Sequence, residues 1–123
     1  MPRYLIRGQL EMALRNRRPV EQWLGARDEK GRRVLRWLGI EPRETGEYAV
    51  RVREVYDCGN EHFFDIYEFE PLDLDEPEGL VTTFAEWGAA LIHAASLGAK
   101  REQFVPHGRI QDVYREFAFG VKN

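Results

Sequence analysis

Lysine and arginine are missing from the middle of this chain. Neither occurs between Arg53 and Lys100, while the 46 intervening residues hold eleven acids. Residues 1–53 run the other way, with thirteen Arg and Lys against seven Asp and Glu; residues 54–123 have five against fourteen. A split this sharp has two explanations. Either the halves neutralise each other within one fold, or one half faces a charged partner.

Other scarcities exclude chemistry. Cys58 is the single cysteine, so no internal disulfide forms, which fits a reducing compartment. The single serine, Ser96, sits in an Ala-rich helical stretch, which argues against a serine hydrolase. No run approaches the ~18–20 apolar residues of a membrane span. The least polar segment, Phe84–Ala99, is broken by Glu86 and His93. Met1-Pro2-Arg3-Tyr4 leads to Leu5-Ile6-Arg7 without an apolar run, which argues against a signal peptide. A cytoplasmic setting is expected. Arginine outnumbers lysine fifteen to three, the bias of a GC-rich bacterial genome. Neither G-x-x-x-x-G-K-[ST] nor G-x-G-x-x-G is present, and no two histidines stand four apart. The sequence therefore suggests no nucleotide cradle, no structural zinc and no cofactor.

What is present suffices for one domain, residues 1–123. Hydrophobic residues make up 43% of the chain and aromatics 12%, enough for a core and too much for disorder. Tyr48, Val50 and Val52 alternate with Ala49, Arg51 and Arg53, and Phe63 to Phe69 is aromatic and β-branched. With Asp57-Cys58-Gly59-Asn60 between them, the two runs predict a β-hairpin near 47–57/62–70. Tyr4, Ile6, Leu10, Met12 and Leu14 share one side of a period-2 pattern and read as a strand, although Leu10, Ala13 and Leu14 also suit a helix. Val34–Ile40, after Glu29-Lys30-Gly31, reads as another strand. V-x-x-W-L-G occurs at Val20–Gly25 and again at Val34–Gly39. It also fits a helical turn ended by glycine, with Pro19 opening a short helix at 19–24.

Thr83-Phe84-Ala85-Glu86 matches a capping box. A helix with Phe84, Trp87, Leu91 and Ala94 on one face follows, ending near Gly98. A last helix after Pro106-His107-Gly108 carries Ile110, Val113, Tyr114 and Phe117 as its stripe. These elements predict an α+β fold: an antiparallel sheet of about four strands with two C-terminal helices packed on one face.

Three sets of residues bear on function. The first is the acidic, partly apolar segment within 65–78: Glu68, Phe69, Glu70, Leu72, Asp73, Leu74, Asp75, Glu76 and Glu78. Its acids would attract a basic protein surface, and Phe69, Leu72 and Leu74 would add apolar anchors. The second is the arginine cluster Arg15, Arg17, Arg18, Arg32, Arg33 and Arg36. With Trp23 and Trp37 it offers phosphate contacts and stacking, but a pI near 5.7 argues against nucleic acid. The third is the carboxylate pair Glu54 and Asp65. A two-residue hairpin loop would oppose them and raise one pKa, an acid–base or cation site. A three-residue loop would instead set Arg53 against Asp65 and Asp57 against Glu61, and this register removes the clash.

Cys58 with His62 reads as an exposed turn thiol, because Asp57 and Glu61 beside it oppose a thiolate. His93 reads as structurally idle, and His107 carries no assigned role. The resulting expectation is a non-enzymatic protein-interaction module, inhibitor, immunity-type or regulatory, or a homo-oligomer subunit. It has no catalytic residues, metal or membrane contact, and it docks a basic partner through the acidic segment. The alternatives are a nucleic-acid binder through the arginines and a small enzyme at Glu54/Asp65.

Overall fold

Val34 to Ile40 is apolar at both alternating sets of positions: Leu35 and Trp37 on one side, Leu38 and Ile40 on the other. A strand of that kind must be covered on both faces. The computed structural model, which describes residues 4–60 and 62–120, shows how.

The chain runs α1 (Arg7–Arg15), β1 (Val20–Glu29), β2 (Arg32–Pro42), β3 (Tyr48–Tyr56), β4 (Leu80–Phe84), α2 (Trp87–Ser96), β5 (Val105–Pro106) and α3 (Ile110–Phe119). The strands form one antiparallel sheet in the order β4-β3-β2-β1-β5. The fold is α+β, as the sequence indicates, with five strands and three α-helices among the described residues. No described helix is long and apolar enough to cross a membrane.

One face of the sheet carries Val20, Leu38, Ile40, Tyr48 and Val50, covered by Leu10 and Leu14 of α1 and Ala90, Leu91 and Ala94 of α2. The opposite face carries Leu35, Trp37 and Val55, covered by Ile110, Val113 and Tyr114 of α3 together with Ile66 and Phe69. The two C-terminal helices therefore lie on opposite faces, not on one. The alternation of β2 forces this, because both of its faces are apolar.

Four local expectations change. Residues 7–15 are helical. Leu10 and Leu14 are one helical turn apart and fully buried, whereas Ile6 and Met12, from the same period-2 set, are 68% and 65% exposed. Gln9 Oε1 accepts the Ile6 N–H at 3.1 Å, satisfying a donor at the helix start. Residues 20–24 are strand, and the two V-x-x-W-L-G copies face each other, with Trp23 opposite Trp37. Lys30 and Gly31, both at positive φ, close the β1–β2 hairpin in two residues.

Residues 62–70 are not the second strand of a hairpin. Asn60 and Phe63 close a tight turn, and Asp65 caps a 3₁₀ turn over Ile66–Glu68. Ile66 and Phe69 both enter the core, three residues apart. Strand periodicity would have put them on opposite sides. Finally, Leu80–Phe84, a β-branched run, is strand β4, so Thr83 lies in the sheet and α2 starts one turn later, with Glu86 at its N-cap.

β3 has two partners along its outer edge. β4 pairs with Tyr48–Val52. Beyond it, Tyr56 donates to Glu70 O at 2.9 Å and Leu72 donates to Glu54 O at 3.0 Å. The acidic loop 73–78 is the link between these two edge segments.

Candidate functional site

The charge split is partly resolved inside the fold. Arg27 pairs with Glu54, Arg32 with Glu70 at 3.1 Å, Arg33 with Asp57 at 3.7 Å and Arg51 with Glu78 at 3.7 Å. β1 and β2 bring arginines to Glu54, Asp57 and Glu70 because β3 lies beside β2, and β3 itself brings Arg51 to Glu78. Other arginines bond backbone. Arg17 donates to Arg43 O and Gly46 O, and Arg36 donates to Leu97 O. Arg15 lies over Trp87, and Arg32 stacks on Tyr56 at 3.6 Å. The cluster proposed for phosphate is thus mostly engaged. Trp37 is core, and Trp23 packs on Phe117 at 5.2 Å.

Of the acidic segment, Glu68, Asp73, Asp75 and Glu76 are exposed and make no ion pair with any described residue. Asp73 Oδ1 accepts the Asp75 N–H at 2.9 Å, a local turn. Leu74 is 77% exposed and Leu72 is half-buried. Phe69 is core: its ring packs edge-on against Tyr114 at 5.4 Å. Glu70 and Glu78 are exposed but face arginines. Beside this loop, β4 is the outer strand of the sheet. Its residues contain no charge, and Leu80 and Val81 are 65% and 39% exposed. The other edge, β5, is two residues long and is screened by the lead-in to α1, where Leu5 donates to Phe104 O.

Glu54 and Asp65 do not meet. Glu54 is held by Arg27, and Asp65 Oδ1 accepts from Tyr67 N and Gln111 Nε2. Neither hairpin register forms, and Arg53 does not pair with Asp65. Glu61, expected opposite Asp57 or beside Cys58, lies outside the described residues. Cys58 and His62 are exposed. His93 stacks on Phe84 at 5.0 Å.

The sheet face left open by α3 holds a constellation the sequence reading missed. Glu21 is 5% exposed. Its Oε1 accepts Tyr67 Oη–H at 2.6 Å and Gly108 N–H at 2.9 Å, and His107 Nδ1 stands 3.5 Å from Oε2. Burial, then the bond to the Glu21 carboxylate, holds the Tyr67 hydroxyl well above the ordinary tyrosine pKa, so it acts as a donor. Arg53 lies 5.2 Å over Trp37 and 6.0 Å over Tyr67, and its Nη2 donates to Tyr67 O. Its Nε is buried without a partner. Burial and the neighbouring Arg51 lower its pKa. These groups line a depression of about 140 Å³ with Gly39 at its floor.

The signals for this site were a glutamate inside an apolar strand, at Val20-Glu21-Gln22-Trp23, and the Pro106-His107-Gly108 turn. Among the described residues, no three His, Cys, Asp or Glu side chains gather closely enough to hold a metal ion. Comparison with protein-family models, curated proteins and solved structures finds no match.

Proposed function

We propose that this protein is a non-enzymatic interaction module of the inhibitory or regulatory kind, and that it takes an extended basic segment of a partner protein along β4. One observation carries the reading. An uncharged, exposed edge strand stands directly beside a loop whose acids Asp73, Asp75 and Glu76 have no internal counter-charge among the described residues.

An edge strand presents alternate N–H and C=O groups to any chain that lies alongside it. Natural edges are usually blunted by lysine, proline or a bulge, and Leu80–Phe84 has none of these. Strand addition supplies main-chain hydrogen bonds, with alternate side chains giving specificity. Here Leu80 and Val81 offer apolar contact on the two sides of the added strand, and Leu74 extends it. The loop supplies the field that selects basic residues and speeds encounter.

The same charges disfavour pairing β4 with a second copy of itself. An antiparallel self-pair would bring loop 73–78 of one copy toward Glu86 of the other, with no Lys or Arg from 54 to 99 on either. Like charges at such a contact oppose association.

The test uses two short synthetic peptides, one alternating lysine with valine and one alternating glutamate with valine. Fluorescence anisotropy reads binding across a salt series. The lysine peptide is expected to bind, weakening as salt rises. Neutralising Asp73, Asp75 and Glu76 to Asn, Asn and Gln, or blocking the edge with Val81→Lys, should abolish that binding without unfolding a surface already exposed. Equal binding of both peptides, or lysine-peptide binding indifferent to these variants, refutes the reading.

A further inference from the structure

Gly39 lies in the middle of the central strand β2, paired on one side with Glu21 and on the other with Arg51. Glycine in a strand interior costs stability because it has no side chain to pack and more chain entropy to lose. Nothing in the backbone requires it here. Its φ is not among the positive ones. A Cβ built at this position would meet only Val20 O at 3.5 Å and Glu21 Cγ at 3.7 Å, both ordinary contacts. Contrast Gly25 in the first V-x-x-W-L-G copy, whose φ of 122° accompanies the bulge in β1. What glycine does at 39 is keep the floor of the depression open. An isolated strand glycine of this sort marks a place where something else comes close.

The walls carry opposite charges. Glu21 is on β1 and Arg51 on β3, so the two Cα atoms stand two strand spacings apart, roughly 9–10 Å, with Gly39 between. Arg53, opposite Trp37, adds a second guanidinium. Neither wall is saturated. Tyr67 Oη lies 2.6 and 2.8 Å from the two Glu21 oxygens, but its one proton serves only one of them. With Gly108 N–H on Oε1, the carboxylate has two close donors for about four lone-pair sites, and His107 Nδ1 stands 3.5 Å from Oε2. Arg53 has no carboxylate within ion-pair distance among the described residues, whereas Arg51 is already held by Glu41 at 2.6 Å and Glu78 at 3.7 Å.

These features restrict the ligand. A simple anion would meet Glu21 and Glu41, and a simple cation would meet Arg51 and Arg53. A molecule with both charges satisfies both walls. Size narrows it further. The cavity holds about 140 Å³. That is far below the ~300 Å³ at which drug-sized pockets begin, which favours a ligand of a few heavy atoms. We propose that the depression over Gly39 binds a small zwitterion of amino-acid size. Its ammonium lies on Glu21 and its carboxylate on the guanidinium of Arg53, with Gly39 between them.

The test is isothermal titration calorimetry with glycine, alanine and β-alanine, and with acetate and methylammonium as the separate halves. At least one zwitterion should bind on the order of tenfold tighter than either half, or more, since one molecule makes both ion pairs and the second forms intramolecularly. Gly39→Ala should weaken binding at least about tenfold by filling the floor. It should nevertheless melt at or above the wild-type temperature, because glycine is not conformationally required. Glu21→Gln, which keeps the shape, should remove the advantage of zwitterions over acetate. Amide spectra of Gly39 and Gly108 should shift on titration in the wild type and not in Gly39→Ala. Absence of binding by all three zwitterions, binding of acetate or methylammonium as tight as that of the zwitterions, or unchanged binding by Gly39→Ala would overturn the proposal.

Discussion

Replacing Gly59 by alanine would place a methyl carbon 2.0 Å from Tyr114 Oη and 2.8 Å from Phe69 Cζ. Both side chains are buried, Tyr114 completely and Phe69 to 2% exposure. Real Cβ contacts do not fall this short, so the tyrosine must move. It cannot move freely: its hydroxyl donates to Asp57 Oδ1 at 2.6 Å, and its ring packs against Trp23, Phe69 and Phe119. Overpacking of this kind costs about 1–3 kcal/mol. Losing a hydrogen bond to a charged, largely covered acceptor adds about 1.5–3 kcal/mol. Gly59→Ala is therefore expected to destabilise the fold by about 3–5 kcal/mol in urea denaturation.

A double-mutant cycle isolates the mechanism. Tyr114→Phe alone should cost about 1.5–3 kcal/mol, the hydrogen bond. In the Tyr114→Phe background, Gly59→Ala no longer meets the hydroxyl and has no bond left to break. Its further cost should fall to about 1–2 kcal/mol, the residual crowding of Phe69 and the ring carbon. The coupling should therefore be sub-additive by about 1.5–3 kcal/mol. Additive costs, or a neutral Gly59→Ala, would refute the packing described for this end of the core.

Two further outcomes follow from buried polar groups. Burial first, then the partner carboxylates of Glu21 and Asp57, raise the pKa values of Tyr67 and Tyr114 above the ordinary tyrosine value. The folded state therefore holds two protons that the unfolded chain releases near pH ~10. Their stabilisation is complete below that pH and declines above it, by up to about 1.4 kcal/mol per pH unit for each tyrosine. Urea midpoints measured from neutral to strongly alkaline pH should show this fall, and it should be shallower in Tyr67→Phe; an identical slope in the variant would count against the Glu21 bond. Gln22, 1% exposed, donates to Lys100 O and accepts from Lys100 N, both at 2.7 Å. Gln22→Leu should cost about 1–3 kcal/mol by stranding both backbone groups and should speed amide exchange at Lys100; unchanged exchange there would contradict the tether.

Segments with a single strong periodicity were readable in advance. β2, β3 and α3 fall where Val34–Ile40, Tyr48–Tyr56 and the stripe Ile110, Val113, Tyr114 indicate. α2 does too, apart from its first turn. The misreadings fall where a segment supports two readings. Leu10 and Leu14 satisfy both period 2 and the i, i+4 spacing, and only the helical choice leaves Ile6 and Met12 in solvent. Phe63–Phe69 is β-like in composition, yet Ile66 and Phe69 are needed in the same core, which a strand cannot deliver. Leu80–Phe84 was hidden beneath a capping-box match, because Thr83-Phe84-Ala85-Glu86 reads equally well as strand end plus helix start.

The pocket over Gly39 was illegible for a different reason. Glu21, Arg53, Tyr67 and His107 come from four separated parts of the chain. Nothing in the spacing of a lone glutamate and a lone histidine joins them. Strand register does: β1–β2 pairing sets Glu21 beside Gly39, and β2–β3 pairing sets Arg51 beside it on the other side. The 3₁₀ turn then delivers Tyr67, and the Pro106–Gly108 turn delivers His107.

The sequence by itself determined the composition of the two charge blocks, the α+β class, and the lack of counter-charge between Arg53 and Lys100. These are local or additive properties, and no folding is needed to count them. The tertiary structure alone decided which acids are neutralised. Glu54, Asp57 and Glu70 meet arginines because β3 lies beside β2, and Glu78 meets Arg51 because β4 lies beside β3, while Asp73, Asp75 and Glu76 are left on a loop beyond the reach of either. Side-chain charge interactions act over a few ångströms, and only strand order and register fix distances on that scale.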